Sequence, residues 1–182
     1  MATLFLVRHG RAAAGFDGHL DPGLDELGRT QAISAAAHLA PLGPLAIYSS
    51  PLARARETAI PLSQRWGIEA VIDHRVAEIP SPTADLLRRA EWLREAMSGR
   101  WRQLPGDLQQ WRQALIDRLL EIREDSVVFC HYIAINVAVG AATADDRLVC
   151  FRPDNASVTR IANNDGRLRI IELGRESDTQ IN

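Results

Sequence analysis

The chain has 182 residues, 46% hydrophobic and 24% charged, the make-up of an ordinary globular protein able to bury one sizeable core. A formal net charge of −2 argues against broad binding to nucleic acid or anionic membranes, so any anion site must be local. Two cysteines, Cys130 and Cys150, do not make a secreted disulfide framework, and every basic residue other than histidine is arginine. No signal peptide and no bilayer-spanning run is expected, and the cytoplasm is the expected compartment.

The first predicted element is a buried strand at Leu4-Phe5-Leu6-Val7, which stops at Arg8-His9-Gly10. Arg8 offers a planar fork of donors for phosphate or carboxylate, and His9 can serve as acid, base, ligand or nucleophile. Gly10 lets backbone approach a ligand closely. A Gly-rich loop follows to Gly23, with Asp17, His19 and Asp21. Asp25 is placed to N-cap a helix carrying Leu27, Gln31, Ala32, Ala35 and Leu39, which ends near Pro41 and Gly43. Leu45 to Tyr48 reads as a second buried strand. Ser50 reads as the cap of the next helix, with Pro51 at its first position. Ile68 to Ile72, after the turn at Gly67, reads as a third strand.

Glu78-Ile79-Pro80-Ser81-Pro82 predicts a rigid extended loop, because each proline disfavours helix before it. Leu86, Ala90, Leu93 and Met97 mark one amphipathic helix, and Leu108, Trp111, Leu115, Leu119 and Ile122 a second. Ser126 to Cys130 is a fourth buried strand ending at His131, backed by a helix from Tyr132 to Ala142. Two tail strands, Ala156 to Ala162 and Leu168 to Leu173, pair through a turn at Asn164-Asp165-Gly166. Strands alternating with helices predict an α/β sandwich with a mainly parallel sheet.

Ligands of such sheets sit beyond the carboxyl ends of the strands. Three of those ends carry chemistry: Arg8-His9, Ser49-Ser50 with Arg54 one turn into the next helix, and His131. Two arginines and two histidines around one point select an anion, and a phosphoryl group fits them.

Leu6-Val7-Arg8-His9-Gly10 resembles the RHG signature of the histidine phosphatase superfamily, the phosphoglycerate-mutase-like proteins. Asp21-x-x-Leu24 with Leu27-Gly28-x-x-Gln31-Ala32 resembles it too, as does Ile47-Tyr48-Ser49-Ser50-Pro51-Leu52-Ala53-Arg54-Ala55-x-x-Thr58-Ala59. His131 at a late strand end and Asn155-Ala156-Ser157 complete the order. The resemblance is weakest between Glu78 and Asp125. It implies a three-layer α/β/α sandwich over one domain, residues 1–182, with roughly 80–124 as a helical insertion or cap.

By the same resemblance His9 is the nucleophile that accepts the phosphoryl group, and Arg8, Arg54 and His131 hold its oxygens. Glu78 is the best candidate for the proton donor, with Asp73 and Asp85 as substitutes. Arg11 and Asn155 are further candidates for substrate binding. No metal or other cofactor is expected, because the arginines supply the positive charge.

Several residues depart from the family pattern or compete for a role. Arg11-Ala12 follows the RHG glycine where a small hydroxyl-bearing residue is common, and Arg11 faces either pocket or solvent. Tyr132 stands where glycine usually follows the late histidine; it either narrows the site or packs under the following helix. The glycine and tryptophan that often follow the acid are replaced by Ile79-Pro80-Ser81-Pro82. Cys130 beside His131 resembles the cysteine of cysteine phosphatases, but the position six residues on is Asn136, and Cys130 reads as a buried thiol. His19, His38 and His74 read as surface or structural. Arg88, Arg89, Arg94, Arg100 and Arg102 around Trp92 and Trp101 read as a solvated helix face, with a cationic lid as the alternative.

The expected function is metal-independent hydrolysis of a phosphomonoester through a phosphohistidine on His9, on a small phosphorylated metabolite. A phosphoglycerate-type mutase, a protein phosphohistidine phosphatase and a non-catalytic phosphate-binding module are the alternatives.

Overall fold

The computed structural model describes residues 1–14 and 18–177; Asp17 lies outside the described residues. The chain runs β1 (Ala2–Arg8), α1 (Glu26–Leu39), β2 (Ala46–Ser49), α2 (Ala53–Trp66), β3 (Val71–Ile72) and α3 (Leu86–Met97). It continues through α4 (Gly106–Glu121), β4 (Ser126–Cys130), α5 (Tyr132–Thr143), β5 (Val158–Asn164) and β6 (Arg167–Glu172). The strands form one sheet in the order β3-β2-β4-β1-β5-β6. The first four strands pair in parallel, and the β5-β6 hairpin is added antiparallel along β1.

Side-chain alternation along the strands divides the core in two. Leu4, Leu6, Val128 and Cys130 face α3, α4 and α5, where Leu93, Trp101, Leu108, Leu115 and Leu119 meet them. Phe5, Val7, Val127 and Phe129 face α1 and α2, against Ala35, Leu39, Ala59 and Leu62. The result is the expected three-layer α/β/α sandwich. The 80–124 stretch contributes its apolar face to the first of these clusters.

Local chemistry sets most element ends. Asp25 caps α1 by accepting from Gly28 N at 2.7 Å. Gly67 closes α2 at φ 66°, and Ile68 N bonds back to Ser63 O at 3.1 Å. That bond keeps Ile68 in the helix cap, so the third strand shrinks from the expected 68–72 to Val71–Ile72. The hairpin turn falls on Asp165 and Gly166, both at positive φ.

The start of α2 corrects a sequence expectation. Ser50 is not its cap and Pro51 is not its first residue, since the helix begins at Ala53. Ser50 Oγ accepts from Leu52 N at 3.2 Å in a tight turn, which delays the helix and frees the hydroxyl for another partner. β5 also starts later than expected, at Val158, because Ala156 and Ser157 are bonded to the end of β1 instead.

Candidate active site

β4 lies between β1 and β2, in registers that pair Arg8 with Cys130 and Ser49 with Phe129. Those registers bring Arg8-His9, Ser49-Ser50 and His131 to one rim of the sheet. His9 N bonds to Cys130 O at 3.1 Å and Ser50 N to Phe129 O at 3.0 Å, so the ladder fixes the backbone on both sides. All of these residues are buried.

His9 has both ring nitrogens assigned by their neighbours. Nδ1 lies 2.7 Å from Gly10 O, and a carbonyl can only accept, so Nδ1 carries the hydrogen. Nε2 is left with its lone pair and accepts from Arg54 Nε at 3.2 Å. Burial, then the Arg54 and Arg8 charges, hold the imidazole well below its ordinary pKa. At neutral pH it is uncharged, with Nε2 nucleophilic.

His131 sits beside it, the two ring centroids 5.1 Å apart. Its Nε2 lies 2.7 Å from Ser50 Oγ. That oxygen also accepts from Leu52 N. Nδ1 of His131 is buried and has no protein partner. Burial and the nearby cations also push the His131 pKa far down. It is an uncharged imidazole packed beside His9.

Arg8 is 2% exposed. One terminal nitrogen donates to Pro153 O at 2.9 Å, while Nε has no protein partner. Its guanidinium lies over the Tyr132 ring, 5.1 Å from the centroid. Tyr132 is thus buried beneath the arginine and start of α5. An aromatic face under a planar cation positions it without consuming its donors.

Glu78 arrives from the loop after β3, and it too is buried. Oε1 accepts from Ile79 N at 3.0 Å and Oε2 from Ile133 N at 3.2 Å. Burial raises its pKa, against the opposing pull of these N–H groups and of Arg54 and Arg8. The other two acids are committed elsewhere: Asp73 is paired with Arg118 and Arg75, and Asp85 caps α3.

The remaining sequence candidates divide. Asn155 Nδ2 donates to His9 O at 3.1 Å, so it holds the backbone of His9. Ala156, at φ 55°, donates to Arg8 O at 3.0 Å and closes the same rim. Arg11 turns away: its Nε bonds to Asp25 Oδ2 at 2.5 Å, and nearly half its side chain is exposed. The ion pair with the α1 cap outcompetes the pocket, so Arg11 is not brought to the site. Cys130 is a buried thiol whose pKa burial raises, and Asn136 is occupied by Cys150 N and Phe151 N. His38 and His74 are exposed, and His19 accepts from Asp21 N within its own loop.

Thr58 and Asp21 were given no individual role in the sequence, and Arg89 only a share in the alternative of a cationic lid. Thr58 Oγ1 donates to Arg54 O at 2.6 Å and accepts from Gly10 N at 3.0 Å, tying the RHG loop to α2. Its spacing of four from Arg54 was the available signal. Asp21 accepts from Ala53 N at 2.9 Å and sits 3.7 Å from Arg54. Arg89 is half-buried, unlike Arg88, Arg94, Arg100 and Arg102, which form the expected exposed face.

The blocks of sequence between these residues have packing reasons. A Cβ on Gly10 would lie 2.5 Å from Gly28 O, and one on Gly28 only 2.1 Å from Arg11 O. Gln31 Oε1 accepts from Arg11 N at 2.8 Å. The loop after His9 is pressed onto α1, and only glycines permit that approach.

Among the described residues, no helix is long and apolar enough to cross a membrane. Comparison with known proteins agrees with the geometry. A glucosyl-3-phosphoglycerate phosphatase of Mycobacterium tuberculosis is 43% identical over 79 residues, 41% of this chain and 35% of that protein. The matched stretch thus spans about a third of that relative's length. A probable phosphoglycerate mutase of Erwinia tasmaniensis is 30% identical over 186 residues, covering 88% of this chain and 85% of that one.

Among solved structures, a mycobacterial glucosyl-3-phosphoglycerate phosphatase complexed with VO3 superposes with a TM-score of 0.74 at 25% identity. That match covers 97% of this chain and 100% of the other. The phosphoserine phosphatase of Entamoeba histolytica, in complex with 3-phosphoglyceric acid, shares the fold with a TM-score of 0.77 at 21% identity. It covers 97% of this chain and 98% of its own. The profile of the histidine phosphatase superfamily (branch 1) matches residues 4–176, and the chain belongs to that superfamily.

Proposed function

We propose that the protein hydrolyses phosphomonoesters of small metabolites through a phosphohistidine at Nε2 of His9. The observation that carries this reading is the paired fixing of the His9 ring: Nδ1–H on Gly10 O, and Nε2 presented to Arg54. A neutral imidazole with its lone pair directed into a cluster of buried cations is an activated nucleophile for a phosphate.

In the first step Nε2 bonds to phosphorus and the bond from phosphorus to the ester oxygen breaks. Arg8, Arg54 and His131 hold the non-bridging oxygens, and Glu78 gives its proton to the departing oxygen. In the second step water attacks phosphorus, its proton passes to the Glu78 carboxylate, and His9 is released with free phosphate. The raised pKa of Glu78 suits it to start as an acid, and its nearness to two arginines lets it return as a base. The arginines supply the charge stabilisation that a metal supplies in other phosphatases. Relatives named for glucosyl-3-phosphoglycerate and phosphoserine support a small phosphorylated metabolite as substrate. The free thiols of Cys130 and Cys150 fit a reducing cytoplasm.

A non-catalytic phosphate-binding module drew support in the sequence from Tyr132 and from the hydroxyl missing after Gly10; the Tyr132 ring packs beneath Arg8, 5.1 Å from its guanidinium, and leaves that cation in place. Rapid quench of the enzyme with a labelled aryl phosphate, resolved in alkali, is expected to trap label on His9, and the His9→Ala protein should neither label nor turn over. Turnover by His9→Ala, or phosphate binding without any turnover by the native protein, would refute the hydrolase.

A further inference from the structure

Thr58 is fully buried on the second turn of α2, and its hydroxyl stands between the backbones of two residues of the phosphate cluster and its loop. Oγ1 donates to Arg54 O at 2.6 Å and accepts from Gly10 N at 3.0 Å. Both directions are forced, because a carbonyl only accepts and a peptide N–H only donates.

These two bonds close a circuit around the His9 ring. From Gly10 N it runs through the Thr58 hydroxyl to Arg54 O, and then along the arginine to Nε. Arg54 Nε donates to Nε2 of His9 at 3.2 Å, and on the far side of the ring Nδ1 donates to Gly10 O at 2.7 Å. One hydroxyl thus holds both residues that orient the imidazole.

Gly10 is the soft point of the circuit. A Cβ there would lie 2.5 Å from Gly28 O, so only glycine fits, and no side chain braces the peptide. His9 N is held by Cys130 O and His9 O by Asn155 Nδ2, bonds that fix the end of β1 but stop short of Gly10. A buried N–H deprived of its acceptor is costly, and a glycine can turn to find another. That turn would carry Gly10 O away from Nδ1 and release the ring.

From this arrangement we infer that Thr58 is a positioning residue for the nucleophile: acting through Gly10 and Arg54, its hydroxyl keeps the His9 ring aimed at phosphorus. The inference rests on the hydrolase reading for the atom that attacks. It adds a group that works through His9 and Arg54 and not on the phosphate itself.

Thr58→Val removes the hydroxyl and keeps the branched shape, while Thr58→Ser keeps the hydroxyl. In rapid quench with an aryl phosphate, Thr58→Val is expected to slow single-turnover transfer to His9 about 10- to 100-fold, as a misplaced reacting group does. Inhibition by inorganic phosphate should stay within about twofold, because the loss falls on the transition state and the cations that bind the ground state remain. Retained phosphate binding also shows that the variant is folded. Thr58→Ser should restore most of the rate.

A second readout needs no turnover. The Nδ1–H of His9, buried and bonded to Gly10 O, is expected to give a resolved downfield 1H–15N signal that is missing from His9→Gln. Thr58→Val should broaden or abolish that signal, and Thr58→Ser should return it. A Thr58 that merely stabilised α2 would lower the melting temperature of Thr58→Val and leave transfer rate and signal as they are; that result refutes the positioning role and leaves the hydrolase standing. If the native protein transfers no phosphoryl group, the hydrolase reading alone fails, and a signal lost in Thr58→Val and regained in Thr58→Ser still supports Thr58 as the group that holds the ring.

Discussion

Arg54 donates its Nε–H to Nε2 of His9 across 3.2 Å, in a site where both side chains are buried. One contact joins the end of β1 to the first turn of α2, and it places a permanent positive charge beside the atom that would attack. Burial first, and this charge after it, keep the imidazole unprotonated, and the same guanidinium is at hand for the phosphate oxygens.

Arg54→Ala should therefore do two things. Vanadate or phosphate affinity is expected to fall about 10- to 100-fold, the loss of charge-assisted hydrogen bonds to a buried anion. The His9 pKa should rise, since Arg54 is the foremost charge depressing it. Titration followed by imidazole NMR and by vanadate inhibition checks both; unchanged affinity would show that the guanidinium does not meet the oxyanion.

Glu78→Gln should slow hydrolysis of alkyl phosphates by roughly 10²–10⁴-fold, the usual worth of a positioned acid. A general acid works only while protonated, so native activity must fall as pH rises through the elevated Glu78 pKa. That alkaline limb should vanish from the kcat/KM profile of the variant. A limb that persists in Glu78→Gln would assign the proton to another group.

The buried neutral histidines link stability to acidity. Both His9 and His131 have folded-state pKa values below the ordinary histidine value of 6.5. Below that value the unfolded chain binds protons that the folded chain resists, so stability is full above it and is lost as pH falls toward the depressed values. Urea unfolding at pH 7.5 and 5.5 should show the drop, and His131→Gln should reduce its size. Equal midpoints at the two pH values in the native protein would contradict neutral burial.

Gly28→Ala should destabilise the fold by about 1–3 kcal/mol, as overpacking against rigid backbone does. The added methyl would meet Arg11 O, and the strain would pass along the loop to Gly10 and His9. Thermal unfolding and kcat measured together are expected to fall together. A variant as stable as the native protein would mean that α1 shifts away at no cost.

Much of this molecule was legible in the chain because its signals are local. Short apolar runs ending in charged residues marked β1 and β4, Asp25 stood where a helix cap belongs, and Asp165-Gly166 could only be a turn. Local signals also misled at Ser50, whose hydroxyl looked like a cap and instead orients His131. The parallel registers of β2, β4 and β1 decided which strand ends met, and so which residues share a site. Burial decided the protonation of His9 and His131, and competition for partners decided the rest: Asp25 drew Arg11 out of the pocket, while Arg89 alone of its basic helix turned inward. The chain by itself determined which elements form and which chemistry it carries, because propensity and patterning act over a few residues. The tertiary structure alone decided the His9 tautomer, charge states and who faces whom, because desolvation and long-range pairing exist only once the layers have closed.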